Sequence, residues 1–155
     1  MISLQFRNRQ RARKIDLRLL RKIIKAALEE LKVTKDSEFF FHLVAAPEMT
    51  HMNETFLHHN GSTDVITFDY SHSASQLHGE IFICVDEALI QAKKFHTSWQ
   101  SEIIRYAIHG LLHLKGFDDH RATDRRTMKR EENRLLHELS RRFPISKLAQ
   151  LRRSS

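Results

Sequence analysis

From Asp16 onward, hydrophobic residues recur at intervals of three and four. Leu17, Leu20, Ile24, Ala27, Leu28 and Leu31 line one side of an amphipathic helix running to about Val33, with Asp16 as its N-cap. The opposite side of this helix is strongly basic. Ser37 to Ala45 (SEFFFHLVA) is short, apolar and aromatic, which describes a buried strand. Pro47 suits the first turn of a short helix over Glu48 to Phe56, because its φ is already helical. Two further runs, Asp64 to Tyr70 (DVITFDY) and Gly79 to Val85 (GEIFICV), are rich in β-branched and aromatic residues and bounded by loop chemistry; both predict strands, and residues 2 to 6 supply a fourth.

Past Asp86 the period becomes helical, first to about Lys94 and then from Thr97 or Ser98 to Leu114, where Thr97 and Gln100 have capping-box spacing. Gly116 ends that helix. A last helix covers about Thr123 to Arg142 and stops before Pro144, leaving residues 144–155 as a frayed basic tail. The order of elements predicts an α+β fold, a small mixed four-stranded sheet packed with about five helices.

Composition narrows the class. No repeat or linker divides the chain and Ser71 to Gln76 reads as a loop, so residues 1–155 are expected to form a single domain. With 41% hydrophobic and 29% charged residues, and only 4 Gly and 2 Pro, collagen-like and low-complexity architectures are excluded. Cys84 is alone and cannot form an internal disulfide, so the fold must rest on its core or on a metal, as in a reducing compartment. The first fifteen residues are basic without an apolar stretch of signal-peptide length, and no run approaches the roughly 18 apolar residues of a membrane span; the expectation is a cytoplasmic protein with no membrane partner.

The net charge of +7 is unevenly distributed. Residues 1–25 carry nine basic side chains and one acid, residues 26–120 carry six against fourteen, and residues 121–155 carry eleven against four. Two basic ends around an acidic middle suit a polyanionic partner, since Lys and Arg that neutralise phosphates release condensed counterions. The same distribution also describes solvated helix faces with a basic tail.

The chemistry concentrates in residues 109–120, HGLLHLKGFDDH. His109 and His113 lie four apart on a predicted helix, so their imidazoles project from one face and can share a metal. Gly116 permits a sharp turn that returns Asp118, Asp119 and His120 towards that face, where a third ligand leaves one coordination position open, as a catalytic zinc requires. Histidines at this spacing are also common at core edges, and it is the glycine turn with its trailing acid and histidine that favours a metal. The run departs from the zinc-protease pattern H-E-x-x-H-x-x-G-x-x-H at its second residue, where Gly110 stands in place of the Glu that activates water for peptide hydrolysis.

His109-Gly110-Leu111-Leu112-His113-Leu114-Lys115-Gly116-Phe117-Asp118-Asp119-His120 resembles the signature H-G-x-L-H-L-x-G-[YF]-D-H of the YbeY endoribonucleases, also described as rRNA maturation factors. Two upstream blocks extend the resemblance, Met52 to Tyr70 (MNETFLHHNGSTDVITFDY) and His78 to Cys84 (HGEIFIC), so that it covers roughly residues 2–140. It implies a zinc-dependent, single-strand-specific endoribonuclease acting on ribosomal RNA and ribosomal particles, in rRNA maturation and ribosome quality control.

Two departures stand out. The register of the family's last histidine holds Asp119, with His120 one place later, so His109 and His113 are the expected zinc ligands while Asp119 and His120 compete for the third position. Many members carry an Arg directly after the aromatic residue of the Asn-containing block, where this chain has Leu57 after Phe56.

Thr63 and Asp64 are candidates to orient a strand end beside the metal, or form ordinary turn chemistry. His58 and His59 are candidate phosphate contacts or plain loop residues, while Cys84 and Trp99 read as core packing. Two rival functions stay open: a zinc hydrolase of another class, such as a peptidase, and a non-catalytic ribosome-associated RNA-binding factor with a structural zinc.

Overall fold

The computed structural model describes residues 1–33 and 36–149. Four strands form one sheet in the order β1-β2-β4-β3: β1 (Ser3–Asn8), β2 (Glu38–Val44), β3 (Val65–Asp69) and β4 (His78–Cys84). The first two pairings are parallel and β3 runs antiparallel to β4, so the sheet is mixed as expected. Alternation along β2 divides the faces: Phe39, Phe41 and Leu43 enter the main core, while Val44 joins Met49, Met52, Ile66, Phe82 and Cys84 in a smaller cluster on the other side.

The helices are α1 (Leu17–Glu30), α2 (Ala46–Phe56), α3 (Val85–Phe95), α4 (Trp99–Leu114) and α5 (Ala122–Arg142). In α4 the residues Ile103, Ala107, Ile108, Leu111 and Leu114 are buried in the main core with Ile81 and Ile83 of the sheet. A Cβ added at Gly110 would lie 2.9 Å from two side-chain carbons of Ile81. The missing side chain there is what lets helix and sheet approach, and it places position 110 on the sheet side of α4.

Several boundaries differ from the sequence expectation for local reasons. Helix α1 stops at Glu30 because Lys32 adopts a left-handed conformation (φ 55°), and the amides of Lys32 and Val33 close back onto Glu29 and Leu28. The N-cap of α4 is Ser98, whose Oγ accepts from the Ser101 amide, so the Thr97–Gln100 capping box does not form; Thr97 Oγ1 donates instead to Glu102. The expected fraying of residue 144 onward fails for the described part. Ile145–Ala149 form a 3-10 turn, Ile145 and Leu148 are buried, and the Asp16 amide donates to the Leu148 carbonyl. Residues 150–155 of the expected tail lie outside the described residues.

Candidate metal centre

The donor atoms gather at the C-terminal end of α4. The helix ends in a Schellman turn: the Gly116 amide donates to His113 O at 3.0 Å and the Phe117 amide to Leu112 O at 2.9 Å. Gly116 has φ +101°, which glycine alone adopts readily. The turn leads into a loop pinned from two sides. Asp118 Oδ1 accepts from the amides of Asp119 and His120, and the Arg125 guanidinium donates to the carbonyls of the same two residues at 3.4 and 3.0 Å.

This arrangement aims the Asp119 carboxylate at the histidine pair. His109 Nε2 and His113 Nε2 are 3.1 Å apart, and Asp119 Oδ2 lies 3.6 and 3.5 Å from them. Four ligands at zinc distances of about 2.0–2.1 Å form a tetrahedron whose edges are about 3.3 Å. The three donors therefore already stand at the spacing of one tetrahedral face. His120 turns outward instead, with its side chain 86% exposed and its Nε2 3.4 Å from Asp118 Oδ1. Of the two competitors for the third position, only Asp119 is brought to the histidines.

Glu132 completes the arrangement. Its side chain is 8% exposed, it lies 2.5 Å from His109 Nδ1, and it is balanced at 3.4 Å by Arg105. A carboxylate accepting from Nδ1–H leaves the neutral ring with its Nε2 lone pair facing His113 and Asp119, the tautomer a metal ligand needs. Burial of His109 pushes its pKa down, but the hydrogen bond and charge of Glu132, together with Asp64 and Asp119, outweigh this and hold it above its ordinary value. Three electron-pair donors converging beside a buried carboxylate suit a divalent cation.

The family model of the endoribonuclease YbeY matches residues 5–140. This chain belongs to the YbeY family. Among its relatives, the endoribonuclease YbeY of Chlorobium luteolum is 40% identical over 90 residues, covering 58% of this chain and 65% of that protein. That of Parabacteroides distasonis is 37% identical over 114 residues, covering 73% and 78%. The solution structure of TM1509 from Thermotoga maritima shares the fold, with a TM-score of 0.65 and 23% identity over 100% of this chain and 99% of that one.

The remaining candidates separate clearly. Asp64, immediately before β3, accepts from the Val65 amide and the Thr63 hydroxyl, and borders with His109 a cavity of about 490 Å³. Leu57, His58 and His59 are exposed after α2, outside the residues that border this cavity. Cys84 is fully buried, where burial raises its thiol pKa, and Trp99 packs against the main core. Sequence reasoning missed Glu132, although a signal was present: it sits with Met128, Leu135 and Leu139 on the buried stripe of α5, where an unpaired carboxylate would be costly.

Proposed function

We propose that this chain is a zinc-dependent endoribonuclease that cuts single-stranded RNA in rRNA maturation and ribosome quality control, acting in the cytoplasm on ribosomal RNA and ribosomal particles. The observation that carries this reading is the convergence of His109 Nε2, His113 Nε2 and Asp119 Oδ2 in a member of the YbeY family. Zinc held by these atoms supplies a Lewis acid able to lower the pKa of water towards about 7 or to polarise a phosphoryl oxygen. The chain's own residues prepare the place. Glu132 holds the His109 proton on Nδ1, Arg105 balances that carboxylate, and Asp118 and Arg125 fix the loop that carries Asp119.

Backbone binding is assigned to the two basic ends, which fold side by side. Arg134 and Arg142 of α5 reach Glu30 of α1 at 3.8 and 3.6 Å, while Arg18, Lys22 and Lys25 of α1 stay exposed to engage phosphates. The peptidase alternative is disfavoured at Gly110, because a glutamate there would start against Ile81 on the side of α4 that packs on the sheet.

The test incubates zinc-loaded protein with an unstructured RNA, the same RNA in a duplex, and an unstructured peptide. Cleavage confined to the single-stranded RNA, lost on chelation and restored by zinc, is expected; peptide cleavage or intact RNA would overturn the reading. Alanine at His109 and His113 separates catalysis from a structural metal, since unchanged rRNA maturation after metal loss would leave only a binding role.

A further inference from the structure

The cavity beside His109 has features the metal cage does not use. Tyr106 borders it, is 4% exposed, and its hydroxyl has no hydrogen-bond partner among the described residues. Buried hydroxyls are ordinarily paired, and a Phe would fill this core position without leaving a polar group unpaired. Buried Glu102 and Glu132, with Asp64, put three carboxylates inside against one partly buried cation, Arg105, which pairs with Glu132, whereas Arg125 and Lys129 are exposed at the rim, one turn apart on α5. Burial, then the negative charges of Asp64 and Glu102, keeps the Tyr106 hydroxyl protonated and therefore a donor.

Among the described residues, Arg125 donates only to backbone carbonyls and Lys129 has no acid within ion-pairing distance, so neither charge is neutralised. Phe95, the last residue of α3, is 60% exposed and completes the rim, with the Lys94 ammonium over one face of its ring at 5.4 Å.

We infer that this cavity seats one unstacked nucleobase of an RNA strand, stacked on Phe95 and bonded to the Tyr106 hydroxyl, while Arg125 and Lys129 hold the adjoining phosphates. Away from the metal ligands the surplus of carboxylates favours an uncharged ring over a phosphate, while the rim cations attract phosphates. Every base has a face to stack and acceptor atoms for a donor, so such a seat tolerates sequence. The volume falls within the roughly 300–1,000 Å³ of small-ligand sites, too small for a paired duplex; a base must leave its stack to enter, which selects single strands. The inference rests on the nuclease reading for RNA as the ligand and deepens it by naming how strandedness is read.

The test titrates zinc-loaded, full-length protein with the four nucleoside 5′-monophosphates and with ribose 5-phosphate, which lacks only the base. The tightest nucleotide is expected to bind at least about tenfold more strongly than ribose 5-phosphate. Tyr106→Phe keeps or raises the melting temperature and removes most of that advantage; Phe95→Ala, on the surface, reduces it as well. Lys129→Ala weakens both ligands alike. Equal affinity for nucleotide and ribose 5-phosphate overturns the inference, as does an advantage that survives Tyr106→Phe. Cleavage of unstructured RNA by the same wild-type preparation separates the two readings. Cleavage with equal affinities removes the base seat and leaves the nuclease, whereas base-dependent binding without cleavage does the opposite.

Discussion

Replacing Glu132 with Gln isolates what the buried carboxylate does for the metal. Gln fills the same volume at a position 6% exposed, and its amide oxygen can still accept from His109 Nδ1, which the carboxylate approaches to 2.5 Å. What disappears is the negative charge that makes the ring a better electron donor. Partners of this kind behind a metal-bound histidine typically contribute 10- to 100-fold in affinity, or about 1.4–2.7 kcal/mol. The fold is expected to persist, because Arg105 keeps its 2.8 Å bond to Asn133 Oδ1 and a side chain that water reaches. The assay is a competitive zinc titration against a chelating dye, with thermal melting to confirm folding. Zinc affinity within twofold of wild type in a folded Glu132→Gln protein would mean that the charge of Glu132 merely balances Arg105, and the argument that it makes His109 a stronger electron donor would be refuted.

Four other substitutions probe separate parts of the structure. Asp119→Ala should weaken zinc binding by more than about 100-fold, beyond the usual loss for an outer partner, while His120→Ala should leave it unchanged in the same titration; the opposite order would reassign the third ligand. His42 is buried between the rings of Phe40 and Phe82; burial, helped by Arg9 and Arg7, lowers its pKa against the opposing hydrogen bond and charge of Glu80. The unfolded chain then binds the proton more readily, so the stability His42 provides is present above about pH 6.5 and is lost as pH falls below it. Denaturant unfolding at pH 7 and pH 5 should show a drop that is smaller in His42→Phe. Gly110→Ala forces a methyl to 2.9 Å from Ile81 and should cost about 1–3 kcal/mol of unfolding free energy by the same method.

Much of the fold was readable because local chemistry and tertiary packing agree. Aromatic and β-branched runs mark β2, β3 and β4, and the three-and-four spacing of α1 points its apolar stripe into the core where expected. Where packing decides, the reading failed. Residues 145–149 look like a tail in isolation, yet Ile145 and Leu148 find the core through contacts with segments far away in sequence. The histidine pair was legible from its spacing together with the glycine turn and acid that follow it, but the choice between Asp119 and His120 was not. It depends on the Schellman turn at Gly116 and on Arg125, which pins the loop from the next helix. Glu132 escaped notice because its partner lies 23 positions away, and a spacing rule sees only neighbours.

Crystals of the protein grown with zinc, with data collected on both sides of the zinc absorption edge, locate the ion itself. One anomalous peak is expected within about 2.0–2.2 Å of His109 Nε2, His113 Nε2 and an Asp119 oxygen, with His120 turned away. No peak between the two imidazoles, or a peak bound through His120 with Asp119 released, would contradict this ligand set.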